Sequence, residues 1–280
     1  MFVVEERAGL ARVRMARRVL GRSSMEVSAY RLGDLLVDTG PPSTAPALAA
    51  WCGRAGVRRV VLTHHHEDHC GGAAALAAAG LPVAASAEAV PLLAAGLRMP
   101  PYRRLIWGVP RSVRAVPLPA VVEGEGYRLR VVPTPGHAFT HVCLFDEVRR
   151  WLFSGDLFVH ERVRYLRRIE DVGLHLASLR RVAALEPDLL LCAHAGPVAD
   201  ARGALARKIA WWEELGRRAR ELADAGYPPR AVSRRLLGRE GLLTYLSVGD
   251  FSHANLVRSF LARPGGPPCQ AGGPVSRSRA

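Results

Sequence analysis

Through the first forty residues, hydrophobic and polar positions alternate. Ala11-Arg12-Val13-Arg14-Met15 and Ser28-Ala29-Tyr30-Arg31-Leu32 repeat at a period of two, the pattern of half-buried strands. Asp34 to Gly40 closes a third strand on a turn. The period then lengthens: Pro46 to Ala55 sets Ala47, Leu48 and Trp51 on one side of a helix. The chain continues with a buried strand over Val57 to Leu62, a short helix over Gly72 to Ala79, a strand over Val83 to Ala85 and a helix over Ala87 to Leu97. Such alternation predicts an α/β fold. Residues 98–110 break it with Pro, aromatics and Arg in no clear period, which predicts a long functional loop or an irregular helix. This stretch serves either substrate contact or surface packing.

Strands return from Val113. Val121 to Gly126 reads as a turn and Tyr127 to Val132 as a strand. His141 to Phe145 and Arg150 to Phe153 form a hairpin turned at Asp146-Glu147. A helix over Asp171 to Ala184 and a short buried strand over Asp188 to Cys192 follow. After Pro197 the pattern is helical, over Ala201 to Ala225, Arg230 to Leu237 and a third helix opened by Gly249 to Asn255. We therefore expect an α/β unit over residues 1–200, a helical C-terminal appendage over 201–263 and a disordered tail over 264–280, where Gly, Pro, Ser and Arg dominate. The appendage could cap a site or mediate a homodimer.

Composition narrows the classes. The hydrophobic fraction of 49% is ordinary for a globular chain, and no run of about 18 apolar residues predicts a membrane span. The first residues carry Glu5, Glu6 and several arginines and lack the apolar core of a secretory signal, so we expect a cytoplasmic protein. Five scattered cysteines argue against a disulfide framework. Cys70 and Cys192 lie near histidines and read as buried structural thiols. The net charge of +14 raises nucleic acid as a partner. Lys208 is the one lysine, and the arginines run along the whole chain without forming a stripe. The charge therefore reads as coding bias, and nucleic acid is not the favoured partner.

Against this background Thr63–Gly72, T-H-H-H-E-D-H-C-G-G, stands out: His64, His66, Asp68 and His69 are four potential ligands in six residues. In an extended segment His64 and His66 point the same way and can share one metal, while the turn beyond them aims Asp68 and His69 at a neighbouring position. Imidazole nitrogen and carboxylate oxygen suit Zn²⁺. Later strands end at Pro133-Thr134-Pro135-Gly136-His137, Ser154-Gly155-Asp156 and Ala193-His194-Ala195-Gly196-Pro197. This places ligands on loops at one edge of a rigid sheet.

H-x-H-x-D-H, T-P-G-H, S-G-D and a late His before Gly-Pro, in this order over Val37 to Pro197, resemble the metallo-β-lactamase-fold hydrolase superfamily, and its glyoxalase II and RNase Z branches most. Asp38 matches the early structural Asp of that pattern; Ala193-His194-Ala195 departs from the common G-H-G while keeping the ligand. The resemblance implies an αββα sandwich over residues 1–200 with metals at the strand edge. It implies a first metal on His64, His66 and His137, a second on Asp68, His69 and His194, and Asp156 bridging. Two Zn²⁺ per chain are expected, with Fe or Mn as other occupants.

The implied chemistry is attack of a metal-activated hydroxide on a small ester, thioester or lactone, with Asp68 as the catalytic residue that orients it and takes its proton. A phosphodiesterase or ribonuclease on the same site, and an iron-dependent persulfide dioxygenase, are the other enzymatic readings. Among the remaining histidines, His65 should point away and His141 should hydrogen-bond near the site. His160, Tyr165 and His253 could line the pocket, Ser252 could cap a helix, and His175 is structural.

Overall fold

The computed structural model describes residues 1–7, 9–19, 22–23 and 25–262. The expected disordered tail lies outside them. The first half of the chain lays down β1 (Phe2–Arg7), β2 (Leu10–Met15), the short β3 (Arg18–Val19) and β4 (Arg22–Ser23), β5 (Val27–Leu32) and β6 (Leu35–Val37). There follow α1 (Ala45–Arg54), β7 (Arg59–Val61), α2 (Glu67–Cys70), α3 (Ala73–Ala78), β8 (Val83–Ala85), α4 (Ala89–Ala95), α5 (Pro101–Ile106) and β9 (Val116–Pro117). The second half gives β10 (Val121–Gly124), β11 (Tyr127–Pro133), β12 (Val142–Asp146), β13 (Trp151–Gly155), β14 (Leu166–Arg167), α6 (Val172–Ala183), β15 (Leu189–Cys192) and β16 (Gly196–Val198). It ends in α7 (Ala201–Asp224), α8 (Pro229–Leu237), α9 (Leu242–Leu246), β17 (Phe251–Ser252) and α10 (His253–Leu261).

Two large sheets result, ordered β1-β2-β5-β6-β7-β8-β9 and β10-β11-β12-β13-β15-β16. The layering follows from the period of two. Leu35, Val37 and Val61 of the first sheet meet Leu129, Leu144, Phe153 and Leu191 of the second in a core between the sheets. Their neighbours Leu36 and Val60 face the other way, toward Leu48 and Trp51 of α1 and Leu76 of α3. Cys143, Leu152, Leu190 and Cys192 likewise turn outward, onto Leu179 of α6, Trp212 of α7 and Leu256 of α10. Successive side chains of one strand thus feed different cores. The chain is an αββα sandwich, and the helices after residue 200 complete its second outer layer.

Most predicted elements form within a residue or two of their expected bounds. Three differ. Val121–Gly124 is a strand paired with Tyr127–Arg130, and the turn shrinks to Glu125-Gly126 between them. Phe2–Arg7 pairs with β2 along its whole length, although its outward face is too polar to show a clean alternation. Leu242–Leu246, Leu-Leu-Thr-Tyr-Leu, forms a five-residue helix with no buried residue; it is too short for its apolar residues to show a helical period. Among the described residues, no helix is long and apolar enough to cross a membrane.

At one edge the sheets are stitched together. Val142 N donates to Thr63 O at 2.8 Å, Ser28 N to Ala193 O at 2.7 Å and Tyr30 Oη to Cys192 O at 2.7 Å. The candidate ligands gather at this edge.

Candidate metal centre

The parallel pair β6 and β7 builds the first part of the site. At the end of β6 the backbone turns through Asp38, whose φ of 63° lies in the left-handed region that Asp tolerates better than most residues. Its carboxylate accepts from Thr63 N and Thr63 Oγ1, each at 2.8 Å, and lies 2.8 Å from His69 Nδ1. One side chain therefore ties the loop after β7 to the sheet and fixes how the His69 ring faces. His66 is extended, and the single turn α2 then swings Asp68 and His69 to a second position.

The second half supplies its ligands singly. His137 follows Gly136, where φ is 138° and a Cβ would lie 2.4 Å from the His175 backbone; glycine lets the loop seat against α6. Gly155 ends β13 with φ 47°, and a Cβ there would sit 2.7 Å from His141 Nε2. The next residue, Asp156, donates its backbone N–H to that same nitrogen at 3.1 Å. His194 sits in the turn between β15 and β16, with Nδ1 2.8 Å from Glu26 O.

All seven candidate ligands converge in two groups: His64, His66, His137 and Asp156 in one, and Asp68, His69, His194 and Asp156 in the other. Within each group one ligand atom per residue lies within 4.8 Å of all the others. His66 Nδ1 is 2.9 Å from both His64 Nε2 and His137 Nε2, and Asp156 Oδ2 is 3.3 Å from the latter. The other oxygen, Asp156 Oδ1, is 3.2 Å from His69 Nε2 and 3.4 Å from His194 Nε2. Asp68 Oδ2 is 3.3 Å from His194 Nε2. Asp156 thus turns one oxygen to each group.

The donors fit divalent cations. Asp68 Oδ1, His69 Nε2 and Asp156 Oδ1 are buried without a hydrogen-bond partner among the described residues, an arrangement that is costly unless something else satisfies them. Burial, with crowding by neighbouring rings, holds His64 and His66 well below the usual histidine pKa, in the neutral form that ligates metals. In the second group burial also opposes charge, but Asp156 and its companion carboxylates raise His69 and His194 well above the usual value. Burial would raise Asp68, yet the facing histidines bring it down to about 2. A cation there would replace protons as the partner of these carboxylates. The thiols stand apart: Cys70 Sγ donates to His65 O and Cys192 Sγ to Phe158 O, and burial pushes both pKa values up.

The remaining histidines sort cleanly. His65 points away, with Nδ1 2.7 Å from Thr140 Oγ1, and His141 braces the site through Asp156 N and Thr134 Oγ1. His160 is exposed, accepts from Arg162 N and is in neither ligand group. His253 stacks on Tyr165 at 4.4 Å, outside both ligand groups, while Ser252 caps α10 by accepting from Asn255 N at 3.0 Å. His175 is buried in α6, with Nε2 2.8 Å from Leu157 O.

Several residues at the site carry no sequence signal. Stretch 98–110 contains α5, whose buried Arg103 pairs with Glu67 and lies 3.7 Å from Asp68 Oδ1. Glu170 Oε1 is 3.3 Å from His137 Nδ1. Arg167 of β14 is buried, with Nη1 3.1 Å from His66 Nε2 and Nε donating to Asp250 Oδ2 at 3.2 Å. Tyr102 Oη donates to the same Asp250 oxygen at 2.5 Å. Only folding brings these groups to the cluster.

An αββα sandwich with two His/Asp groups at its strand edge defines a metallo-β-lactamase-type scaffold. The sequence profile of the Metallo-beta-lactamase superfamily matches residues 27–194, and the chain belongs to that superfamily. Similar solved structures include a metallo-beta-lactamase family protein from Thermus thermophilus (TM-score 0.65, 23% identity, 93% of this chain and 97% of that one). A beta-lactamase domain protein from Burkholderia ambifaria is similar at TM-score 0.67 and 22% identity, over 92% of this chain and 88% of that one. Among curated relatives, a hydroxyacylglutathione hydrolase of Cupriavidus taiwanensis is 32% identical over 57% of this chain and 58% of its own length. An atrochrysone carboxyl ACP thioesterase of Paecilomyces divaricatus is 31% identical over 31% of this chain and 26% of its own. A lactamase-like protein of Aspergillus niger is 38% identical over 27% and 23%. These matches span about a quarter to under two thirds of the relatives' lengths.

Proposed function

We propose that the chain is a metal-dependent hydrolase with a dinuclear centre, zinc its natural occupant, acting on a small thioester, ester or lactone. The observation that carries this reading is the split of Asp156, with Oδ2 toward the first group and Oδ1 toward the second. A carboxylate shared in this way suits a pair of divalent cations. In this reading His64, His66 and His137 would hold one ion and Asp68, His69 and His194 the other, with Asp156 available to both. When bound, such a pair polarises a carbonyl and makes water reactive near neutral pH.

The protein's own residues do the rest. Asp38, Glu170 and the Glu26 carbonyl face the second ring nitrogens of His69, His137 and His194 and orient them. In this reading Asp68, whose Oδ2 faces His69 and His194, would orient the attacking water and take its proton. Arg103, held by Glu67, fixes Asp68 from behind. Two relatives carry names that refer to acyl hydrolysis, of a hydroxyacylglutathione and of an acyl carrier protein thioester, which favours thioesters.

The test is a panel of thioesters, esters, lactones, phosphodiesters and a glutathione persulfide, assayed with and without chelator beside elemental analysis of the protein. We expect chelator-sensitive turnover of an acyl substrate by protein holding two zinc ions. Turnover confined to phosphodiesters, or to the persulfide with iron present, would replace the acyl assignment.

A further inference from the structure

The segment after α8 turns apolar side chains outward that the metal centre does not use. Leu242, Tyr245 and Leu246 fall at i, i+3 and i+4 of α9, on one face, and are 72%, 71% and 62% exposed. Val248, just beyond, is 84% exposed. Exposed apolar residues scattered singly are ordinary, but four gathered on one short turn mark a contact surface. Val248 adds a backbone cost, since its φ of 54° is one that β-branched residues rarely adopt. A strained backbone that turns a valine toward water gains the fold nothing. The gain lies in what the valine meets.

This knuckle is braced from within. Buried Ser247 accepts from Phe251 N at 3.0 Å, Gly249 N donates to Thr244 O at 2.7 Å, and Thr244 Oγ1 donates to Glu240 at 2.8 Å. Its surroundings are basic. Between residues 225 and 262 the chain carries Arg230, Arg234, Arg235, Arg239 and Arg258 against Glu240 and Asp250. Both carboxylates are already engaged. Glu240 accepts from His253 N and Ala254 N at the start of α10, and Asp250 accepts from Arg167 Nε, Tyr102 Oη and Arg168 N. Exposed Arg239 lies three residues before Leu242. At the other end of the knuckle, a Cβ on Gly249 would lie 3.6 Å from Nη2 of exposed Arg168. Arginines thus flank the apolar turn on both sides.

We infer that the Leu242–Val248 knuckle docks the chain on an anionic lipid surface, with its leucines and Val248 in the acyl boundary and Arg168 and Arg239 among the headgroups. Apolar side chains beside basic ones are the chemistry of an interfacial anchor, and anionic lipid attracts each basic residue held close to it. Tyrosine settles at such a boundary with its ring inward and its hydroxyl wet. Long arginine side chains reach the headgroups while their stems lie along apolar surface. A second copy of the chain would bring arginine against arginine across the same face. Side chains this exposed line no cleft for a protein partner to fill, whereas a fluid lipid layer needs no matching shape. Docking here brings the ligand cluster toward the bilayer, because Asp250, two residues beyond Val248, holds Arg167 against His66. The inference stands apart from the acyl-hydrolase reading.

The experiment is co-sedimentation of the full zinc-loaded chain with vesicles of pure phosphatidylcholine and with vesicles containing about a third phosphatidylglycerol. We expect the anionic vesicles to bind at least about tenfold more tightly than the neutral ones. Leu242→Ser/Tyr245→Ser/Leu246→Ser should weaken that binding by at least about tenfold. Arg168→Gln/Arg239→Gln should weaken it by about tenfold, and Arg54→Gln/Arg58→Gln, which removes two exposed arginines elsewhere, by less than about twofold. Val248→Gly relieves the backbone and removes the side chain, so vesicle affinity should fall while the melting temperature does not. A Val248 that served only the fold would show the reverse. Equal binding to both vesicle types overturns the inference, as do wild-type binding by the triple serine variant and an equal loss from the Arg54/Arg58 pair. No binding to either vesicle also overturns it. In that case sedimentation equilibrium names the occupant: a dimer that the triple serine variant dissociates makes the knuckle a self-association surface, and a monomer leaves a protein partner.

Discussion

The two halves of the sandwich contribute to the centre in opposite ways. The first sheet delivers His64, His66, Asp68 and His69 from one six-residue run after β7; the second delivers His137, Asp156 and His194 from three loops far apart in the chain. Each ligand group draws on both halves, and Asp156 touches both groups. A cation at either position would thus clamp the two sheets together at the edge where Thr63 O already accepts from Val142 N. The concentrated half sets the spacing of the two positions, and the dispersed half decides whether they close.

The largest effect should come from removing the residue both groups share. Losing an orienting partner alone costs a metal site about 10–100-fold. Asp156 faces both positions directly, so Asp156→Ala should lower turnover by about 10³-fold or more, with zinc per chain falling at both positions in elemental analysis. Loss of one ion with the other fully retained would deny the shared role.

The halves also differ in how they bury positive charge. Arg103, over the first half, is paired with Glu67, whereas Lys208 in α7 is buried against the rings of Phe158 and Trp212 with no carboxylate within ion-pair distance among the described residues. Substitution should therefore act with opposite signs. Arg103→Met strands Glu67 and should cost about 3–5 kcal/mol in denaturant unfolding. Lys208→Met should stabilise. Burial lowers Lys208 to about 8 from the ordinary 10.5, which corresponds to a gain of up to about 3 kcal/mol, reduced by the lost contacts with the two rings. The sign with pH follows from the unfolded chain binding the proton more tightly. The gain is fully present below about 8 and vanishes as pH rises toward 10.5, so the wild type itself gains stability across that window. A destabilised Lys208→Met would show that Nζ has a partner the fold does not reveal.

Smaller substitutions separate the two positions. Asp38→Asn loosens His69 and Glu170→Gln loosens His137. Each should weaken one zinc by about tenfold and leave the other nearly unchanged, the first acting on the mixed Asp68 group and the second on the three-imidazole group. Competition against a chromophoric chelator reads both steps. Equal weakening of both ions by either substitution would mean that the positions are not separable.

The same contrast explains how much of the molecule is legible in its sequence. A contiguous T-H-H-H-E-D-H run announces its chemistry because local spacing alone puts His64 and His66 on one side. His137, Asp156 and His194 can be assembled only through their order along a familiar pattern, and Asp38 likewise. Arg103, Glu170, Arg167 and Asp250 stay beyond reach, because an arginine or a carboxylate in a loop has no periodicity and its meaning depends on which strand end it meets. Val121–Gly124 reads as a turn because its Glu and Gly outweigh two valines locally; pairing with Tyr127–Arg130 decides the matter over a longer range. Phe2–Arg7 lacks a clean alternation because it is the edge strand of its sheet, and Leu242–Leu246 is too short to show a period.

A dinuclear centre requires that Asp156 join two cations held by ligands from both halves. The direct measurement is anomalous diffraction at the zinc edge from crystals of the zinc-loaded chain, with occupancy refined at each site. Two ions per chain are expected, each within bonding distance of a different Asp156 oxygen. A single ion, or two ions of which one does not touch Asp156, would contradict it.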